Sequence, residues 1–321
     1  RIHSELYGVA DHALSEANGL PPSERAAKAV LAVCRRLSDT GDMAFIENDA
    51  KLLLFEAFHL DLVHFLMDRL RPLSEQDAKV QEQIRTYREM IAKRASRIPL
   101  QQILGSQEFM GLDFFVNEHV LIPRQDTETL VELVLQEQQG PEKKLLDLCT
   151  GSGCIAISLA VKGGYRSVTA TDLSEEALKV AERNAKMHGF AMVSYTETQA
   201  APEQAGHPFI FRQGDLFTAM PQSEAGTFDI ITSNPPYIPT AVIATLEPEV
   251  REHEPMMALD GTGDGLKFYR RIAKEAGAWL KPGGAVYLEI GYDQGKATIL
   301  FSRLLREHTT GLWETRFRGF I

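Results

Sequence analysis

Apolar positions along this chain follow two periods, and the change between them falls near residue 97. In the first part they recur every three to four residues, the spacing of one helix face. That spacing predicts helices over 2–17, 23–37, 51–70 and 74–95. The breaks fall at Gly19-Leu20-Pro21-Pro22, at Gly41 and at Arg71-Pro72, and Ser74 with Asp77 reads as an N-capping pair for the fourth helix. Residues 97–122 then hold short apolar runs around a glycine, Glu108-Phe109-Met110 and Asp113-Phe114-Phe115-Val116 flanking Gly111, which is the pattern of a β-hairpin.

From Thr127 onward, continuous apolar runs alternate with amphipathic windows. The runs at 145–149, 168–172, 210–215, 228–233 and 285–290 predict strands of a parallel sheet joined by helical crossovers. Lys281-Pro282-Gly283-Gly284 reads as a helix end turning into the last strand, and the polar stretch 196–208 as a surface loop. A closing pair of strands is expected after Gly311. The expected organisation is a helical domain at 1–96, a connecting hairpin at 97–122 and an α/β domain at 123–321. No internal repeat is visible.

Composition narrows the function classes. A length of 321 residues is enough for one large and one small domain with ample core. The most apolar helix, 52–67, is interrupted by Glu56, His59, Asp61 and His64, so no bilayer span is expected. A net charge of −10 argues against duplex or long single-stranded nucleic acid, which needs a basic face to neutralise phosphates. No basic module hides at the front either: residues 1–96 carry 13 Lys and Arg against 15 Asp and Glu. The local group Arg85, Arg88, Lys93, Arg94 and Arg97 reads as a solvated helix face, or as a contact for an acidic partner or RNA. Cys34, Cys149 and Cys154 have no metal-like spacing, nor do the nine histidines, so no metal site is expected and the setting is read as reducing. The first residues, with Glu5 and Asp11, lack a basic-then-apolar pattern. The expected location is the cytoplasm, with a mitochondrial matrix after transit-peptide removal as the alternative.

The candidate chemistry sits at strand ends. After the first strand come Cys149, Thr150, Gly151, Ser152 and Gly153, then an apolar helix. Glycines there let backbone approach a ligand, and the helix start presents free N–H groups. The second strand ends in Asp172, about 20 residues beyond the glycines, where a carboxylate can accept ribose hydroxyls. A nucleoside-containing cofactor is therefore expected. The third strand ends in Gly214-Asp215; Asp215 is read as an acceptor for an adenine amino group with Leu216 or Phe217 over the ring, or equally as a turn aspartate. The fourth strand ends in Asn234-Pro235-Pro236-Tyr237. Two prolines stop the ladder and stiffen the turn. The result is a shelf with an amide oxygen, a bare carbonyl and an aromatic face, suited to a planar NH2 group. The alternative is a proline-rich turn after a buried strand.

With those residues in view, the chain resembles the S-adenosylmethionine-dependent release-factor glutamine methyltransferases, the HemK/PrmC family. The likeness runs over roughly residues 85–295. It rests on Arg97-Ile98-Pro99-Leu100-Gln101, Glu108-Phe109-Met110-Gly111, Leu121-Ile122-Pro123-Arg124 with Thr127-Glu128, Asp147 to Gly153, Asp172-Leu173-Ser174, Asn184-Ala185, the Asn234 shelf, Glu254-Pro255, Gly263-Asp264-Gly265-Leu266 and Leu288-Glu289-Ile290-Gly291. The Ile-Pro-Arg segment with Thr127-Glu128 sets it apart from DNA methyltransferases that share the shelf. Three departures stand out: Cys149 replaces a usual glycine and would be strained if that position needs a positive φ, or otherwise lines the pocket; Gln125-Asp126 replaces Pro-Glu; and the stretch from Trp313 to Ile321 lacks the family's usual Asp…Arg pattern.

The resemblance implies a Rossmann-like class I methyltransferase sheet behind a helical bundle and a hairpin. It implies S-adenosyl-L-methionine near Cys149, Thr150, Gly151, Ser152 and Gly153, with ribose on Asp172 and adenine beside Asp215 and Leu216. Asn234 would face both the donor and the methyl acceptor. Thr127 and Glu128 would be second contacts to the donor or the shelf, and Glu289 a support for the sheet end. The implied substrate is the glutamine of the Gly-Gly-Gln motif in class 1 peptide-chain release factors, docked by a monomer through the helical domain, with no nucleic-acid substrate and no membrane. The alternative is another NH2 group, on a ribosomal-protein glutamine or an adenine in DNA or RNA. In the implied chemistry Asn234 Oδ1 and the Pro235 carbonyl accept the amide hydrogens, Tyr237 stacks on the amide plane and Pro236 keeps the turn rigid.

Overall fold

The computed structural model describes residues 43–68, 77–193 and 209–295. The helices expected at 2–17 and 23–37, the loop at 196–208 and the strands expected after Gly311 lie outside those residues. The chain divides into two compact units, Arg1–Leu104 and Gly105–Ile321.

In the first unit, α1 (Met43–Phe58), α2 (Leu62–Asp68), α3 (Ala78–Ala95) and α4 (Leu100–Leu104) replace the two long helices read from the pattern. The single helix expected at 51–70 is broken because His59 takes a left-handed φ of 53°, and Asp61 Oδ1 accepts from His64 N at 2.7 Å to start a new helix. The next helix starts four residues later than expected. Its cap is Asp77, which accepts from Lys79 N at 2.8 Å; Ser74 lies outside the described residues. Leu53, Ala57 and Tyr87 form the buried centre of this unit, with Leu54, Phe58, Met90 and Ile91 packed around it. Two of the basic residues on α3 have acidic neighbours: Arg94 pairs with Asp49 at 2.8 Å and Arg85 with Glu82.

The second unit opens with the hairpin, β1 (Ser106–Phe109) and β2 (Leu112–Phe115), antiparallel with Phe109 opposite Leu112. Its two turn residues, Met110 (φ 56°) and Gly111 (φ 69°), are both left-handed, as a two-residue turn matched to strand twist requires. After α5 (Gln125–Glu137) come β3 (Lys144–Leu148), α6 (Cys154–Gly163), β4 (Ser167–Asp172), α7 (Glu175–Met187), β5 (Met192–Val193), β6 (Phe209–Gln213) and β7 (Phe228–Ser233). The chain continues through β8 (Ile238–Pro239), α8 (Thr240–Ile243), α9 (Pro248–His253), α10 (Met256–Leu259), β9 (Asp260–Thr262), α11 (Lys267–Glu275) and β10 (Leu280–Leu288).

Six strands form one parallel sheet in the order β10-β7-β3-β4-β6-β5. Strand order reverses at β3: β4 lies on one side of it and β7 on the other. Open α/β sheets bind ligands beyond the carboxyl ends of strands at such a switch point. The apolar faces of β3, β4 and β7 are sealed by α5, α6 and α7 on one side and by α11 and Trp279 on the other. Lys281-Pro282-Gly283-Gly284 does not end a helix but lies inside β10, as an irregularity between Leu280 and Ala285. Lys281 Nζ reaches Asp229 Oδ2 at 2.7 Å, which holds that segment against β7 while Pro282 and Gly283 stay exposed.

Candidate active site

At the end of β3 the turn is built around a buried acid. Asp147 is fully buried, and its two oxygens accept from Thr150 Oγ1 at 2.6 Å and Thr232 Oγ1 at 2.7 Å. Burial raises its carboxyl to about 7, against the two hydroxyl donors. Cys149, next in the chain, has a φ of 56°, so this non-glycine residue takes the strained conformation. Thr150 N donates to Thr171 O at 3.0 Å and Gly151 N to Asp172 Oδ2 at 2.9 Å, which ties the turn to the end of β4. Asp172 Oδ1 accepts from Ser174 N at 2.9 Å; burial raises this carboxyl, and the backbone N–H groups of Ser174, Gly151 and Leu173 oppose the rise.

Asn184 secures the turn from behind. It is fully buried; its Nδ2 donates to Ser152 O at 2.9 Å and to Phe115 O at 3.0 Å, and its Oδ1 accepts from Phe115 N at 2.7 Å. One side chain thus joins the glycine turn to the hairpin. Glu128 holds the other end of the hairpin, with Oε1 accepting from Met110 N at 2.6 Å, so its contact is with the turn rather than with the shelf.

Asp215 lies at the end of the β6 segment and pairs with Arg271, whose Nη1 donates to both carboxylate oxygens at 2.7 and 2.8 Å. Its backbone N–H donates to Thr218 Oγ1 at 2.9 Å. The Leu216 and Phe217 side chains go into the apolar core, where Phe217 stacks on Trp279. Leu216 takes a left-handed φ of 54°. The exposed apolar residue at this edge is Leu173, beside Asp172.

The Asn234–Tyr237 shelf follows β7 on the other side of the switch point. Ser233 Oγ donates to Leu148 O at 2.8 Å, and Glu289 N donates to Ser233 O at 3.1 Å, so Cys149, Asn234 and Glu289 follow three adjacent strands in register. Asn234 Nδ2 points to Thr127 Oγ1 at 3.4 Å; Thr127, on the first turn of α5, is 2% exposed. Pro235 and Pro236 are buried, and Tyr237 is half-buried. Burial, with the Glu289 carboxylate, pushes the Tyr237 phenol up to about 12.

Gln294, which the sequence did not single out, supports the shelf together with the motif residue Gly265. Gln294 Nε2 donates to Tyr237 O at 2.9 Å, while its Oε1 accepts from Gly291 N at 3.1 Å. Gly265 packs so closely that a Cβ there would lie 2.2 Å from Tyr237 O. Arg124 makes a two-oxygen pair with Glu254 at 2.7 and 2.8 Å, pinning α9 and α10 to the segment before α5. The available signal for Gln294 was a lone amide in a Gly-Tyr-Asp-Gln-Gly run after the last strand. Among the described residues no group of three or more His, Cys, Asp or Glu is placed to hold a metal ion, and no helix is long and apolar enough to cross a membrane.

Two sequence profiles match the chain: a methyltransferase small domain over residues 124–246 and a PrmC N-terminal domain over residues 28–105. The chain is 40% identical over 262 residues to the release factor glutamine methyltransferase of Geobacter sulfurreducens, covering 80% of this chain and 83% of that one. The enzyme of the same name from Caulobacter vibrioides is 40% identical over 274 residues, 84% of this chain and 85% of the other.

Proposed function

The chain belongs to the release factor glutamine methyltransferases, and we propose that it methylates the glutamine amide of the Gly-Gly-Gln motif of class 1 release factors. The observation that carries this reading is the Asn234–Tyr237 shelf standing across the switch point from the Gly151 turn and Asp172.

The residues at the turn fit S-adenosylmethionine, the methyl donor of this reaction. Gly151 is left-handed, and a Cβ there would meet nothing within 4 Å, so the backbone faces open space. Each Asp172 oxygen has one N–H partner and keeps a second lone pair for a hydroxyl. Cys149, Thr150, Gly151, Ser152 and Gly153 would hold the donor's amino-acid end, Asp172 its ribose, and the Asp215-Leu216 backbone with Leu173 its adenine. When bound, the donor supplies a methyl group already activated on a sulfonium.

An amide nitrogen is a weak nucleophile because its lone pair is delocalised. The protein's task is then to position and desolvate. Asn234 Oδ1 and the Pro235 carbonyl accept the two amide hydrogens and aim the nitrogen, and Tyr237 covers the amide face. The excess proton leaves to water after transfer. The protein acts as a monomer in the cytoplasm on a protein substrate, with the helical unit docking the release factor.

Intact-mass analysis of a class 1 release factor incubated with this protein and S-adenosylmethionine tests the reading. One added methyl on the wild-type factor and none on a Gly-Gly-Ala variant is the expected result. No methyl on either, with donor binding intact, would overturn it.

A further inference from the structure

An asparagine can present either its oxygen or its NH2 group to a ligand, and only its neighbours decide which. The shelf needs the oxygen outward, because the acceptor amide brings hydrogens. Thr127 does not settle the matter alone, since a hydroxyl both donates and accepts. The deciding group is at the end of β10. The Glu289 carboxyl lies against the Thr127 hydroxyl, the Asn234 amide and the Tyr237 hydroxyl, and its Oε2 is buried without a hydrogen-bond partner. Its backbone is fixed on both sides: Glu289 N donates to Ser233 O at 3.1 Å, and Glu289 O accepts from Tyr269 Oη at 2.9 Å.

We propose that Glu289 is the positioning residue that sets the direction of a hydrogen-bond chain, Asn234 Nδ2–H to Thr127 Oγ1–H to the Glu289 carboxylate, and so turns Asn234 Oδ1 toward the methyl acceptor. A carboxylate only accepts. With its proton committed to Glu289, Thr127 must accept from Asn234, at the observed 3.4 Å. The same carboxylate lies beside the Tyr237 hydroxyl, where it would steady the aromatic face. Specificity for an NH2 group is thus set from behind Asn234, by an acid that does not touch the substrate. This inference rests on the function proposed above.

Glu289→Gln replaces the acceptor with a group of the same shape that can also donate, so the chain loses its direction. Turnover of the release factor should fall at least about tenfold, the effect of one misdirected buried hydrogen bond, while the dissociation constant for S-adenosylmethionine stays close to that of the parent. Thr127→Val should lose rate in the same way, and Thr127→Ser, which restores the hydroxyl, should recover most of it. In the free protein, the Asn234 side-chain NH2 signals in a nitrogen-15 spectrum should show slow exchange, and both signals should shift in Glu289→Gln. Parent-like turnover in Glu289→Gln, or Asn234 signals that do not move in it, would overturn the assignment. Because the amide signals are read without substrate, they decide the chain even if the release factor proves to be the wrong substrate.

Discussion

The carboxylate of Asp172 accepts the backbone N–H of Gly151 at 2.9 Å, so the acid that ends β4 also fixes the turn that follows β3. On the function proposed above, a single side chain would both shape the donor's cradle and offer the acceptor for its ribose. Asp172→Ala should therefore weaken S-adenosylmethionine binding by about tenfold to a hundredfold, the range for a lost charge-assisted hydrogen bond. Asp172→Asn, which keeps one oxygen, should lose less. Titration calorimetry checks both, and an unchanged affinity in Asp172→Ala would remove Asp172 from the donor site.

Asn234→Ala removes the proposed acceptor but leaves the turn and Asp172 untouched. Turnover should fall by about a hundredfold or more, as when one donor or acceptor aimed at the reacting group is deleted. Donor affinity should change little. Single-turnover kinetics separates the two, and a variant as fast as the parent contradicts the assignment.

Gln294 supports the shelf through the Tyr237 carbonyl at 2.9 Å and the Gly291 N–H at 3.1 Å. Gln294→Ala leaves both buried groups unsatisfied and should cost about 1–3 kcal/mol of stability in chemical denaturation. Gln294→Glu should be worse, because it sets a carboxylate oxygen against a carbonyl. If Glu proves as stable as Gln, the amide is not oriented as described.

Asp147 makes stability depend on pH. Its folded carboxyl sits at about 7, above its ordinary value of 3.8, because burial disfavours the charge. Between those values the folded chain holds more protons than the unfolded one, so this group's contribution is complete below about 4 and is lost as pH rises through 7. The melting temperature of the parent, relative to Asp147→Asn, should therefore fall between pH 5 and pH 8. A constant difference across that range would exclude it.

Cys149 at φ 56° bears a left-handed backbone that glycine adopts freely. Cys149→Gly should be more stable than Cys149→Ala by about 1 kcal/mol, since both delete the thiol and only Ala keeps the strain. Equal stability of the two variants in urea titrations would mean that the turn relaxes when the side chain is lost.

Much of the candidate site was legible because its residues lie in short runs. The Asn-Pro-Pro-Tyr shelf, the glycine turn and Asp172 each depend on a strand ending at a fixed residue, and apolar patterning locates strand ends well. A hairpin around Gly111 was readable for the same reason, though Met110 belongs to its turn rather than to the first strand. Other features needed contacts between distant residues. Nothing local marks Met192–Val193 as an edge strand; it forms by pairing with Phe209 and Ile210. The stretch at Lys281 looked like a helix end because it contains Pro-Gly-Gly, yet β7 recruits it through Asp229.

The sequence by itself determined the change from a helical to an α/β pattern, the parallel character of the sheet and, to within about two residues, where its main strands end, because these follow from residue period and turn chemistry within a few positions. Only the tertiary structure decided that β7 lies beside β3, so that Asn234 falls between Cys149 and Glu289. It also decided that Asp215 meets Arg271 and that Gln294 and Thr127 reach the shelf. Strand order and long-range hydrogen bonds depend on which surfaces can be buried together. A period of two or of 3.6 residues carries no information about a partner 50 or 100 positions away.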